Sequence, residues 1–260
     1  MGIASVTTHP MKYMYMETIK ELLDERYPQG LPQEDKGALH MTFDLANAPA
    51  QRRTAQILAE ALQGKAVYLR DRDWKSVYNR GYYEVAGWTV AGNQVATDFS
   101  LDTLPRVLSV LEWLRSKGYA PDGEVLISLG EEIGLRQALN LCTMIEAKRE
   151  LLEMALQLED EIRVMADSTL ALSIPLGAFD LEKIEAMACL LHQMALQAEQ
   201  VGRVRMRPVD VTNARYQMRT WLLRLGFIGE AFARPRRTLL EHLEGDAAFR
   251  GGREARRSVG

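Results

Sequence analysis

The sequence has few cysteines and no long apolar run, and these two absences restrict the class of protein. Its 260 residues include only two cysteines, which excludes a small disulfide-stapled secreted scaffold and fits a reducing cytoplasm. No stretch approaches the roughly 18 uninterrupted apolar residues of a membrane span, and no basic start leads into an apolar signal core. We therefore expect a soluble, cytoplasmic protein that does not bind a membrane.

The sequence also lacks the common catalytic signatures. It contains no glycine-rich phosphate-binding loop of the P-loop or dinucleotide type, no G-x-S-x-G elbow and no H-E-x-x-H motif. Nucleotide-dependent enzymes, serine hydrolases and zinc proteases are less favoured as a result, and we expect no cofactor. Cys189 and His192 have the i, i+3 spacing of metal ligands on one helix face. Two ligands do not make a site, so no metal is predicted and Cys189 is interpreted as a buried thiol.

Two pairs of carboxylates are the candidates for acid–base or Mg²⁺ chemistry. Asp71 and Asp73 stand in a loop that also carries basic residues, and Glu131 and Glu132 precede a predicted helix, where its dipole favours negative charge. Solvated loop and helix-start roles are the favoured interpretations of both pairs. An enzyme with an unrecognised carboxylate site nevertheless stays open as an alternative function.

The charge of the chain is unevenly distributed. The formal net charge is only −3, but residues 1–202 carry 19 basic and 29 acidic side chains, whereas residues 203–260 carry 13 basic and 6 acidic ones. All 13 bases of the second segment are arginine. The small net charge is therefore a cancellation between an acidic body and a basic carboxyl-terminal segment.

Hydrophobic patterning predicts an α+β protein. Residues 1–37 form an amino-terminal helix and linker in this prediction. Residues 38–130 and 125–208 both follow the order β-α-β-β-α-β, with the strand at 125–129 counted in both. This order predicts two tandem split βαβ (ferredoxin-like) units with antiparallel sheets. An arginine-rich helical tail follows at 209–250, and residues 251–260 read as a flexible terminus.

Local signals add detail to this outline. Apolar residues from Leu135 to Leu156 predict one long helix, and Asp180 is the predicted cap of the helix that follows it. In the tail, the patterns predict an amphipathic helix over 215–225 and a second helix over 238–243, separated by the Gly226-Phe-Ile-Gly229 break.

The tail is the candidate binding site. A helix–GxxG–helix element with nearby bases is the way in which KH domains clamp a nucleic-acid backbone. The favoured alternative is a plain interhelical turn, with Gly226 ending a helix and Ile228 packed inward. The arginines of such a turn could instead form salt bridges to the acidic body or to an acidic partner. The residues of the candidate site are Arg219, Arg224, Gly226, Gly229, Arg234, Arg236, Arg237 and Arg250.

Three segments of the tail also carry a resemblance: Tyr216-Gln-Met-Arg-Thr-Trp-Leu-Leu-Arg-Leu-Gly-Phe-Ile-Gly-Glu-Ala-Phe232, Arg237-Thr-Leu-Leu240 and Gly245-Asp-Ala-Ala-Phe-Arg250. Here the chain resembles a family from Gram-positive gut bacteria that is usually labelled "virulence-related protein" and is carried on conjugative and other mobile elements. A looser similarity extends over most of residues 40–250. The resemblance implies a bacterial cytoplasmic accessory protein of a mobile element, with a role in nucleic-acid handling or in antagonism of host defence. It implies no catalytic residues.

These observations favour a non-enzymatic accessory protein of a mobile element or phage. It would bind a macromolecule, either nucleic acid or an acidic surface of a host defence protein, through the arginine-rich tail. Besides the enzyme, a third possibility is a structural protein that forms homo-oligomers by docking its tail on the acidic face of a neighbouring copy.

Overall fold

The computed structural model describes residues 39–46, 48–70, 81–119, 121–130, 133–158, 162–166, 170–175, 180–204 and 211–246. All of them belong to one compact unit, formed by residues 37–70 and 81–260. The predicted amino-terminal helix and linker (1–37) and the predicted flexible terminus (251–260) lie outside the described residues. So does the predicted last strand of the second unit, apart from Val204.

Within the described residues the chain forms eight strands and seven α-helices, and the α+β class is confirmed. In chain order the elements are β1 (Leu39–Leu45), α1 (Gln51–Leu62), β2 (Val67–Leu69), β3 (Tyr82–Val85), β4 (Trp88–Ala91), β5 (Gln94–Phe99), α2 (Leu104–Ser116), β6 (Pro121–Leu129), α3 (Leu135–Glu146), α4 (Arg149–Leu156), β7 (Arg163–Ala166), β8 (Leu170–Pro175), α5 (Leu181–Gln200), α6 (Ala214–Arg224) and α7 (Ala233–Glu241).

The strands form a single sheet in the order β2-β3-β4-β5-β1-β6-β8-β7. Every neighbouring pair is antiparallel. Strand β6 lies between β1 and β8, so it joins the strands of the first predicted unit to those of the second. Because each step across the sheet reverses direction, β1 runs parallel to β2, and β6 runs parallel to β7.

The core lies between one face of this sheet and the helices. In β1, the side chains of Leu39, Met41 and Phe43 are buried, and they alternate with His40 and Thr42 on the opposite face. The buried face belongs to the same apolar cluster as residues of all seven helices. The period of two in β1 thus separates an apolar face from a polar one.

Helices α6 and α7 are part of this core. The side chains of Met218, Leu222, Phe227 and Leu239 are completely buried, and they belong to the same cluster as the sheet residues. Helix α7 packs against α4 and α5. Residues 211–246 of the predicted tail are therefore integrated into the apolar core.

Two of the predicted helices have different bounds in the structure. The single helix expected from Leu135 to Leu156 is wrong, because the chain turns at Lys148, where φ is −128° and the amide donates to the Ile145 carbonyl oxygen at 3.0 Å. The turn is stabilised by Arg149, whose guanidinium bonds Glu146 and the carbonyl oxygen of Ile162. The helix predicted over 238–243 instead begins at Ala233.

Candidate functional site

The GxxG loop of the predicted binding site closes a helix. Gly226 has a φ of +88°, and its amide donates to the Leu223 carbonyl oxygen at 3.2 Å, while the Phe227 amide donates to Leu222 at 3.0 Å. These two bonds form a Schellman motif, which requires a left-handed residue at the position of Gly226. The Ile228 amide donates to the Gly226 carbonyl oxygen at 2.7 Å. Three successive backbone donors of the loop are thus already bonded within the chain, which makes this loop unlike a phosphate clamp.

The apolar side chain that anchors the loop is not the predicted one. Ile228, expected to pack inward, is 67 % exposed, whereas Phe227 is fully buried. The Phe227 ring lies 4.9 Å from that of Phe232, measured between centroids. After a Schellman turn the residue that follows the left-handed glycine points back onto the helix, so Phe227 takes the inward position.

Two of the candidate arginines serve the fold. Arg236 donates through Nη1 to the carbonyl oxygens of Phe227, at 2.9 Å, and Gly229, at 3.1 Å. Arg234 lies on α7 and places Nε 3.2 Å from Oε2 of Glu185 on α5. Burial raises the pKa of Glu185, and the charge of Arg234 opposes that rise. The alternative in which the arginines pair with the acidic body thus applies to Arg234.

The remaining arginines of the candidate site are at the surface. Arg219, Arg224 and Arg237 are exposed, whereas Arg250 lies outside the described residues. Of these, Arg224 belongs to a cluster that the sequence analysis did not identify.

This cluster, here called the α4–α6 cation patch, consists of Lys148, Arg224 and Trp221. Lys148 precedes α4, and its Nζ lies 6.0 Å from the centroid of the Trp221 ring on α6. Burial, and then the positive charge of Arg224, lower the pKa of Lys148. In the described part of the chain neither cation has an ion-pair partner. The patch therefore combines an aromatic ring with two cations that repel each other.

A second basic surface, here called the α1–β2 groove, lies between α1 and the β2–β3 edge of the sheet. It encloses about 810 Å³ and is lined by Arg52, Arg53, Gln56, Ala59, Glu60, Gly64, Lys65, Ala66, Tyr68 and Tyr83. The rings of Tyr68 and Tyr83 lie 5.0 Å apart between centroids, with planes tilted by 58°. This groove thus combines three cations and two tyrosines with one carboxylate.

This groove was not predicted from the sequence, although one local signal pointed to it. Arg52 and Arg53 occupy the first turn of α1, which has no acidic residue. The helix dipole favours negative charge at that end, so two cations there oppose the local electrostatics. Residues that break a local preference are often retained for binding.

A hydrogen-bonded chain lies on the polar face of the sheet. His40 Nδ1 is 2.6 Å from Oδ1 of Asp98 in β5, and His40 Nε2 is 2.8 Å from Oγ1 of Thr42. The His40 and Asp98 side chains are 15 % and 30 % exposed, whereas Thr42 is 5 % exposed as a residue. In the tautomer whose Nδ1 donates to the carboxylate, Nε2 accepts a hydrogen bond from the Thr42 hydroxyl. These distances have the geometry of a hydroxyl–histidine–acid relay.

The other groups considered from the sequence lie outside the described residues or form no metal-binding cluster within them. Asp71, Asp73, Glu131 and Glu132 lie outside the described residues. Cys189 is buried, and burial, followed by the charge of Glu185, raises its pKa to about 12, so this thiol stays protonated. Among the described side chains, no three histidines, cysteines or carboxylates gather closely enough to hold a metal ion.

None of the helices in the described ranges is long and apolar enough to cross a membrane. A comparison of the chain with protein-family models and with curated proteins finds no match.

Proposed function

We propose that this protein is a non-enzymatic accessory protein of a bacterial mobile element or phage that binds nucleic acid through basic surface patches. The observation that carries the proposal is the α4–α6 cation patch, in which Lys148 Nζ lies 6.0 Å from the centroid of the Trp221 ring and interacts electrostatically with Arg224, and no described carboxylate pairs with either cation. Two neighbouring cations repel each other, so an anion bound between them relieves that repulsion. A phosphate backbone supplies such anions in series.

In this proposal only some of the arginines of the predicted tail contribute to binding. Arg219, Arg224 and Arg237 are exposed. Arg234 and Arg236 contact Glu185 and the carbonyl oxygens of the GxxG loop. A test that replaces Arg234 and Arg236 would therefore mix loss of binding with loss of stability. Lys148 and Arg224 are the better targets.

The experiment measures fluorescence anisotropy of a labelled duplex DNA and a labelled RNA while salt rises from about 50 to about 200 mM. We expect binding to weaken steeply with salt. The double variant Lys148→Gln/Arg224→Gln should reduce the log–log salt slope by about 1 to 2, since each lost phosphate contact removes about 0.9. Arg106→Gln, which replaces an exposed arginine of α2, is the matched control and should leave the slope unchanged.

Two outcomes of this experiment would contradict the proposal. If neither DNA nor RNA binds, or if binding does not depend on salt, the nucleic-acid proposal is wrong. An acidic host defence protein is then the remaining form of the macromolecular partner. Capture from the native host with and without nuclease separates the two, because a nuclease-resistant complex counts against nucleic acid.

An enzymatic function is the second candidate, favoured by the Asp98–His40–Thr42 chain. In such a site the Thr42 Oγ1 would attack an electrophile and pass its proton to His40 Nε2. A fluorophosphonate probe tests this, because attack forms an oxygen–phosphorus bond and releases fluoride. Labelling that persists in Thr42→Ser and disappears in Thr42→Val would favour the enzyme, and an unlabelled wild-type protein would remove it.

The tandem arrangement is also a proposal. Two split βαβ units sharing β6 are supported by the parallel directions of β1 and β2 and of β6 and β7, each pair being connected through helices. Expression of residues 38–130 alone tests it. A cooperative unfolding transition would favour an independent first unit, whereas an unfolded fragment would contradict it.

A further inference from the structure

The α1–β2 groove presents positive charge that the described chain does not neutralise. Arg52, Arg53 and Lys65 are exposed along its walls. Arg53 Nη1 lies 3.8 Å from Oε1 of Glu60, but Arg52 and Lys65 have no ion-pair partner among the described residues. The groove therefore attracts anions. Because its cations are spread along α1 and the residues after it, an extended ligand can contact more than one of them.

The groove also presents an aromatic ring that is held in place but open on one side. Tyr68 is 51 % exposed, and it faces Tyr83 across the β2–β3 pair. On another side the backbone of Gly81 comes so close that a Cβ there would lie 2.4 Å from the Tyr68 ring. These contacts with Tyr83 and Gly81 restrain the ring of a residue that is half exposed to solvent.

The combination of several cations with an exposed aromatic ring favours some anionic ligands over others. Cations along a groove follow a phosphate backbone, and an exposed aromatic ring stacks on a base whose face is free. In a duplex both faces of each base are covered by its neighbours, so the ring gains nothing from double-stranded nucleic acid. In a single strand the bases can turn outward and stack on protein side chains.

We propose that the α1–β2 groove binds single-stranded nucleic acid, with a base stacked on Tyr68 and the flanking phosphates beside Arg52 and Lys65. This inference rests on the proposed function, because it specifies which form of nucleic acid the protein takes. It assigns that contact to a surface separate in sequence from the α4–α6 cation patch, so the two can be tested independently.

The test compares binding of an oligothymidylate of about 12 nucleotides with binding of a duplex of the same length, both by fluorescence anisotropy. Tyr68→Ala should weaken single-strand binding about 5- to 100-fold, the range expected for loss of one base–aromatic stack. Tyr68→Phe, the matched control, keeps the ring and should bind like the wild type. Neither substitution should change duplex binding.

A second variant covers the case in which Tyr68→Ala disturbs the edge of the sheet. Lys65→Gln changes an exposed side chain outside the helices and strands, and it should reduce the salt slope for the single strand by about 0.7, the value of one phosphate contact. Thermal unfolding of each variant, followed by circular dichroism, establishes that the protein remains folded.

The outcomes separate this inference from the proposed function. If Tyr68→Ala and Lys65→Gln bind the single strand like the wild type, the groove assignment is overturned, even if Lys148→Gln/Arg224→Gln impairs duplex binding. If only the Tyr68 and Lys65 variants lose single-strand binding, the result supports binding in the α1–β2 groove and contradicts binding by the α4–α6 cation patch. Competition by a mononucleotide as effective as that of the oligonucleotide would also overturn the assignment, because the site would then recognise a free nucleotide.

Discussion

Arg236 Nη1 donates to the carbonyl oxygen of Phe227 at 2.9 Å. The acceptor belongs to a residue whose side chain is fully buried, so the arginine fixes the GxxG loop on top of the apolar core. An arginine that sequence reasoning placed at a binding surface is thus a structural residue.

Replacement of this arginine should therefore cost stability. We expect Arg236→Gln to lower the free energy of unfolding by about 1 to 3 kcal/mol, because two carbonyl oxygens lose a charged donor. Arg237→Gln, at the exposed neighbouring position, should change it by less than about 0.5 kcal/mol. Urea denaturation measures both values. Equal losses in the two variants would contradict the structural role of Arg236.

The two apolar residues of the loop give a second pair of variants. Phe227→Ala removes a fully buried ring and should lower the free energy of unfolding by about 3 to 5 kcal/mol. Ile228 is 67 % exposed, so Ile228→Ala should be nearly neutral. Thermal and urea unfolding distinguish this from the interpretation made from the sequence, which predicts the larger loss at Ile228.

Structural features that depend on residues close together in the sequence were predicted correctly, whereas features that depend on distant residues were not. Asp180 caps α5 as predicted, with its carboxylate accepting from the amides of Glu182 and Lys183, because capping depends on residues within one turn. Strand β1 was predicted from its alternating side chains, but nothing local indicates that β6 pairs with both β1 and β8 in one sheet.

Contacts between residues far apart in the sequence also determine which candidate residues are paired in the fold. The role of Arg234 depends on Glu185, which lies far away in the sequence on α5. The tilted aromatic pair in the groove joins Tyr68 to Tyr83 across two strands. Charge composition identified a basic segment correctly. It could not tell which of its arginines the fold would occupy, since pairing and burial are set by tertiary packing.

Gly245 should be intolerant of a side chain. Its φ is +108°, and a Cβ there would lie 2.2 Å from Oδ1 of Asn213, which accepts the Tyr216 amide and caps α6. We expect Gly245→Ala to lower the free energy of unfolding by about 2 to 3 kcal/mol, from left-handed strain and loss of the cap.

The control for this substitution is Gly118→Ala. Gly118 has a similar left-handed φ of +84°, but no atom lies within 4 Å of its added Cβ, so only the strain of about 1 kcal/mol remains. Hydrogen exchange at the first turn of α6 reports the cap directly. Equal exchange rates in the two variants would mean that Asn213 moves aside without losing its bond.

The Arg234–Glu185 pair should contribute to stability only at neutral pH. Burial raises the pKa of Glu185 above its ordinary value of 4.5. The Glu185 carboxyl therefore loses its proton at a higher pH in the folded state than in the unfolded state. Stability is therefore lost as pH rises from about 4.5 through the raised pKa. Arg234 limits that loss by favouring the ionised carboxylate.

Arg234→Gln should accordingly lower the free energy of unfolding by about 0.5 to 1 kcal/mol near pH 7 and have almost no effect near pH 3, where the Glu185 carboxyl is protonated in both the folded and the unfolded state. The guanidinium is well exposed, which keeps the neutral-pH value small. A double-mutant cycle with Glu185→Gln isolates the pair from other charges. A coupling energy that is the same at both pH values would mean that Arg234 acts on the fold through packing, because a carboxylate that has lost its charge no longer distinguishes arginine from glutamine.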